Sequence, residues 1–134
     1  MKPVRRWTKS ETDLNRALIL EPLEKAFPGC YCRKITSGPF KRGLADTLCC
    51  IMGTFVAIEV KKEGPKDEPT LLQREELEKV AEAGGVALCV KFLLDGRKQA
   101  TSWTKHQRAL TVEDQLLAAL DGPRGISVQS VAAL

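Results

Sequence analysis

Apolar side chains recur at every second position through the middle of this chain, and at every third or fourth position in two flanking stretches. The segment FVAIEVKK, 55–62, shows the first pattern most clearly. In an extended strand alternate residues face opposite ways, so Val56, Ile58 and Val60 share one apolar face. Phe55, Ala57, Glu59 and Lys61 share the other. The preceding segment ADTLCCIM is a second strand, and Gly53-Thr54 between the two predicts a hairpin. A turn centred there sets Asp46 across from Lys61, to within about two positions, with Glu59 one same-face step away. A short strand over 31–35, YCRKI, is expected before the loop TSGPFKRG.

The helical pattern begins after Ser10, a good N-cap with Asp13 three residues on. Leu14, Ala17 and Leu18 give this helix an apolar stripe, Pro22 should kink or restart it, and FPG at 27–29 ends it. Thr70 opens a second helix through TLLQREELEKVAEAGG, with Gly84 or Gly85 as its stop. VALCVKFLL is a continuous apolar run, as expected of a strand covered on both faces. Asp95-Gly96 then signals a turn, and RKQATSW is expected to fold back as an edge strand. Thr111 is expected to cap a last short helix over about 112–120, and the residues from DGPRG onward to be loosely held. The order is helix, three strands, helix, strand. A helix between the third and fourth strands implies a crossover within a mixed sheet. The fold class expected is therefore α/β, one domain over 1–134 with a core of about 10–94 and a C-terminal addition over 95–134.

Composition narrows the partners. At 134 residues and 43% hydrophobic, the chain can build a real core. No apolar run approaches the roughly 18 residues of a membrane span, and the N-terminus lacks the apolar region of a secretory signal. A soluble, cytoplasmic protein is expected. The net charge of +4 points mildly to an anionic partner. Five cysteines, an odd number in such a chain, argue against a disulfide framework. Cys49, Cys50 and Cys89 lie in apolar runs and are expected to be buried. His106 is the single histidine, which excludes a histidine-based metal cluster or a Ser-His-Asp triad. Acid–base chemistry must come from carboxylates, lysine or a metal ion.

The hairpin supplies such a group. Asp46, Glu59 and Lys61 would meet at one end of the sheet, and hard cations such as Mg²⁺ or Mn²⁺ take carboxylate oxygens. A metal held there lowers the pKa of water and stabilises charge on a phosphoryl oxygen, while a lysine neutralises developing charge. The competing reading is a surface ion pair, worth only ~0–1 kcal/mol.

GLAD at 43–46, then FVAIEVKK, then TLLQREELEKVAEAGGVALCV resembles the PD-(D/E)XK nuclease superfamily, and within it the VRR-NUC (virus-type replication-repair nuclease) domains. Those domains show G-x-P-D, a strand bearing E-x-K, and a helix opening with a glutamine. Ala45 stands where proline is typical. The resemblance implies an αβββαβ core and a metal-dependent DNA endonuclease using Mg²⁺ or Mn²⁺. Asp46 and Glu59 resemble its metal-binding carboxylates, the Val60 carbonyl a further ligand, and Lys61 the catalytic lysine. Gln73 matches the family glutamine near the active site, although Thr70-x-x-Gln73 is also a capping box. Glu11 matches an acidic residue of the first helix that often joins the metal site, although it also complements the helix dipole.

Among the basic residues, Lys34, Lys41, Arg42 and Lys62 are expected to track phosphates. Arg33 and Lys34 alternate, so only one can face the cleft, and Lys34 has the family's register. The resemblance further implies a homodimer, often virus-encoded, acting on branched DNA such as a four-way junction. A nucleic-acid-binding module with a slow or inactive site is the alternative, and a scaffold protein without metal binding is the third.

Overall fold

The computed structural model describes residues 10–35 and 43–131. Ser10 Oγ accepts the Asp13 N–H at 3.2 Å and starts α1, Glu11–Asn15. Pro22 offers no N–H to the Leu18 carbonyl, and in a regular α-turn its ring would collide with that carbonyl. The chain widens instead into a π turn, Arg16–Leu20, where the Glu21 N–H reaches back to the Arg16 carbonyl. Helix α2, Glu21–Ala26, follows with Pro22 in its first turn. The expected kink is thus a widened turn.

Strands β1 (Tyr31–Lys34), β2 (Thr47–Ile51) and β3 (Thr54–Lys62) form an antiparallel meander. Its hairpin turns on Met52 and Gly53, at φ 53° and 75°. Two consecutive positive φ values make the twist of the turn match that of the strands. This centre lies one residue earlier than the sequence suggested. The ladder that pairs Thr47 with Ile58 therefore brings Asp46 opposite Glu59, not Lys61.

Helix α3 (Leu71–Glu82) carries the chain to β4 (Val86–Phe92), parallel to β3. Strand β5 (Lys98–Ser102) returns antiparallel, and α4 (Gln107–Leu120) leads to β6 (Ile126–Ser130), parallel to β5. The result is one α/β domain around a six-stranded mixed sheet in the order β1-β2-β3-β4-β5-β6. Both crossovers step the same way along the sheet, but β3 and β5 run in opposite directions. With a right-handed connection each time, α3 and α4 must lie on opposite faces. The packing agrees. Val56, Ile58, Val60, Leu88 and Val90 form one core with Ile19 and Leu23 and with Val112 and Leu116 of α4. Ala57, Ala87 and Cys89 pack on the other face with Leu77 and Ala81 of α3 and with Trp103.

Several expectations change. Residues 126–130 are not loose: they add the outermost strand, so β5 is internal. Helix α4 begins at Gln107, and Thr111 lies inside it with its hydroxyl donating to the Gln107 carbonyl at 3.1 Å. Cys50 is exposed, because the hairpin register turns it to the opposite face from buried Cys49. Lys98 is buried beneath the end of α4, where its Nζ donates to the Asp121 carbonyl at 3.4 Å. A cation suits a helix C-terminus, yet burial holds this ammonium's pKa below the usual lysine range. No helix among the described residues is long and apolar enough to cross a membrane.

Candidate active site

Strand β2 stops at Thr47, and the side chain of the preceding residue continues its ladder: Asp46 Oδ2 accepts the Val60 N–H at 2.9 Å. The Asp46 carbonyl meanwhile accepts the Ile35 N–H at 2.7 Å, which ties the residue to the end of β1. Asp46 is thereby fixed by backbone on both sides. Its carboxylate lies against the residue next to Glu59, and a strand residue's carbonyl shares the side of its N–H, so the Val60 carbonyl points to that edge as well.

Glu59 is 2% exposed, an expensive place for a carboxylate unless its oxygens are engaged. Gln73 Nε2 donates to Glu59 Oε1 at 2.9 Å, and Lys61 Nζ stands 3.8 Å from the same oxygen. Gln73 both caps its helix and reaches Glu59. Its Oε1 accepts the Thr70 N–H at 2.9 Å and its own N–H meets Thr70 Oγ1 at 3.2 Å, closing the capping box of α3. With the amide oxygen so used, the amide nitrogen is left to face Glu59.

Two further groups flank this pair. Lys91, beside Lys61 in the ladder, is held by Glu68 at 2.8 Å and Asp67 at 3.5 Å, and Glu68 above all raises its pKa. It is thus drawn away from Glu59. Burial pushes the adjacent Cys89 thiol up to about 12, with the Glu59 charge adding to the effect, so this cysteine stays protonated and inert.

The other expected site residues are placed as follows. The backbone of Glu11 opens α1, and its side chain lies outside the described residues, as do Lys41 and Arg42. Lys34 pairs with Thr47, which pairs in turn with Ile58, and Lys62 has the parity of Val60, so both belong to the face opposite Glu59. Arg33 pairs with Leu48, which pairs in turn with Ala57, and so shares the face of Glu59. A shift of one residue along a strand exchanges the faces, which is why Arg33 takes the place expected of Lys34. Sequence reasoning also missed Asn15. It is fully buried, and its Nδ2 donates to Thr47 Oγ1 at 2.7 Å, locking α1 to the strand directly after Asp46. Its spacing of four from Glu11 was the available signal.

Two carboxylates and a carbonyl at one strand end are an all-oxygen donor set, the kind that suits a hard divalent cation. Among the described residues no group of three or more His, Cys, Asp or Glu side chains converges as a metal cage, so any ion here would rely on Asp46, Glu59, the Val60 carbonyl and its own waters. No family model, no curated protein and no solved structure matches this chain.

Proposed function

We propose that this protein is a divalent-metal-dependent DNA endonuclease of the PD-(D/E)XK type, close in plan to the VRR-NUC domains. The observation that carries the reading is the seating of Asp46 on the Val60 N–H, which brings a second carboxylate to the strand end that bears Glu59 and Lys61. An isolated surface Glu-x-Lys pair would not need a glutamine from another element to hold it, nor would it be almost wholly buried.

Asp46, Glu59 and the Val60 carbonyl would hold Mg²⁺ or Mn²⁺. When bound, such an ion supplies Lewis acidity toward the phosphodiester and acidifies water. Lys61, only 13% exposed in its side chain, stands beside Glu59 and would offset negative charge that grows on the phosphoryl oxygens. Gln73 holds the Glu59 carboxylate in one orientation, so little reorganisation is required when substrate arrives. Arg33, on the same face, is placed to take a flanking phosphate. Nothing in this set reads base edges, so the preference is for DNA shape, and branched DNA cut by a two-fold dimer is the form we favour.

The test is incubation of end-labelled four-way junction, flap and duplex DNA with the protein in Mn²⁺ or in EDTA. Cleavage that requires Mn²⁺ and is greatest on the junction is expected. Binding without cleavage of any substrate would instead favour a nucleic-acid-binding module.

A further inference from the structure

The carboxylates occupy only one end of their face. Toward the hairpin, α3 covers β3 and β4 but leaves β1 and β2 open, and a row of large exposed side chains stands there. Tyr31 is paired with Cys50 and Cys50 with Phe55 across the three strands. Tyr31 is 58% exposed and Phe55 48%, with Met52 of the turn at 54%. Leaving this much apolar surface in water is costly unless something covers it. Four residue steps along the strand lead from Phe55 to Glu59, roughly 13 Å, with Arg33 in the row between them.

We infer that this row is a stacking platform for the bases of a single-stranded stretch of nucleic acid leading to or from the carboxylate site. The inference rests on the nucleic-acid reading above. The charges around the row select a polyanion. The Arg33 guanidinium lies over the Tyr31 ring, 4.1 Å from its centre, which presents an aromatic face and a cation together. Arg108 lines a cleft of about 440 Å³ at the flank of Phe55, together with Lys79, which is paired with Glu76 at 3.5 Å. The outer side of α3, by contrast, carries exposed Glu75 and Glu78, with Glu82 paired to Lys105, and disfavours phosphate, so a strand is directed to the β1–β2 side. Aromatic faces take any base, but only one released from a duplex stack, so the platform discriminates single strands from duplex rather than one sequence from another.

The experiment measures anisotropy of a fluorescent oligothymidylate and of a duplex of equal length, in EDTA, for the wild-type protein, Tyr31→Ala, Phe55→Ala and the double variant. The residues are exposed, so the variants are expected to fold, and circular dichroism checks that they do. The double variant should lose about tenfold or more in affinity for the single strand and less than about threefold for the duplex. Cys50, exposed at the centre of the row, gives a second readout: saturating oligothymidylate should slow its reaction with a maleimide. Unchanged single-strand affinity in the double variant, or an unprotected Cys50 at saturation, overturns the platform. A lower molar mass of the double variant in light scattering overturns it too, and assigns the row to contact with a second copy. Mn²⁺-dependent cleavage with no effect of the aromatic pair defeats the platform alone. Stacking with no cleavage in Mn²⁺ defeats the hydrolase reading alone.

Discussion

The two faces of the sheet are built from different materials. The face beneath α1, α2 and α4 is packed with isoleucine, leucine and valine, and its cross-strand rows run from Ile51 to Phe92 with hardly a gap. The face beneath α3 is packed with alanine and cysteine around Leu77 and Trp103, and it ends in Glu59 and Lys61. Large aliphatic side chains bury the most apolar area and supply most of the stability. Small ones allow α3 to sit close enough to the sheet for a single glutamine to span from its first turn to Glu59. Strand β3 serves both, because its even positions feed the aliphatic core and its odd positions carry the charged groups. Stability and chemistry are thus separable by residue parity along one strand.

That separation can be broken by substitution. The largest effect is expected from Asp46→Asn and Glu59→Gln, which keep shape and remove charge. Each should reduce Mn²⁺-dependent cleavage at least about a thousandfold, about 4 kcal/mol, with melting temperature unchanged or raised as carboxylate repulsion disappears. Full activity in either variant removes the proposed site. One residue away, Ile58→Ala should do the reverse. It leaves a cavity in the aliphatic core, and a loss of about 2–5 kcal/mol in urea unfolding is expected. The fraction that stays folded should cut DNA normally.

Lys61→Ala should slow single-turnover cleavage roughly a hundredfold, about 3 kcal/mol, while DNA affinity in Ca²⁺ changes far less. If affinity falls as far as rate, the lysine anchors phosphate instead. Gln73→Ala touches both properties and sharpens the comparison. It opens the capping box of α3, costing about 1 kcal/mol of stability, and it frees Glu59 from its amide partner. A drop in both melting temperature and cleavage rate is expected, whereas a pure cap would move only the first.

The smallest effect is a pH dependence. Burial pushes Cys49 up to about 11 and Cys89 up to about 12, whereas the ordinary thiol value is 9.0. Above that ordinary value the unfolded chain releases thiol protons that the folded chain keeps, so stability is full below it and falls as pH rises toward the folded values. Melts at about pH 8 and about pH 10.5 should show this loss, and Cys89→Ala should flatten it.

The sequence was most legible where one local pattern decides the structure. The alternation in β3, the serine cap of α1 and the crossover through α3 all follow from short segments, and they were enough to bring Asp46, Glu59, Lys61 and Gln73 to one place. What escaped depended on longer-range or subtler geometry. Met52 at positive φ is not a turn signal, so the local pattern sets the hairpin centre one residue late. Strand β6 is five residues of modest strand preference and forms because β5 offers an edge after α4 crosses over. The choice between Arg33 and Lys34 was decided by which parity of β1 meets Leu48, a matter of pairing and not of composition.

The central claim is that the α3 face holds a divalent cation between Asp46 and Glu59. Titrating Mn²⁺ into the protein and following the free ion by electron paramagnetic resonance tests it without reference to any substrate. Saturable uptake by the wild-type chain, abolished in Asp46→Asn and in Glu59→Gln, is the predicted result. Equal uptake by these variants, or none by the wild-type chain at millimolar Mn²⁺, would contradict it.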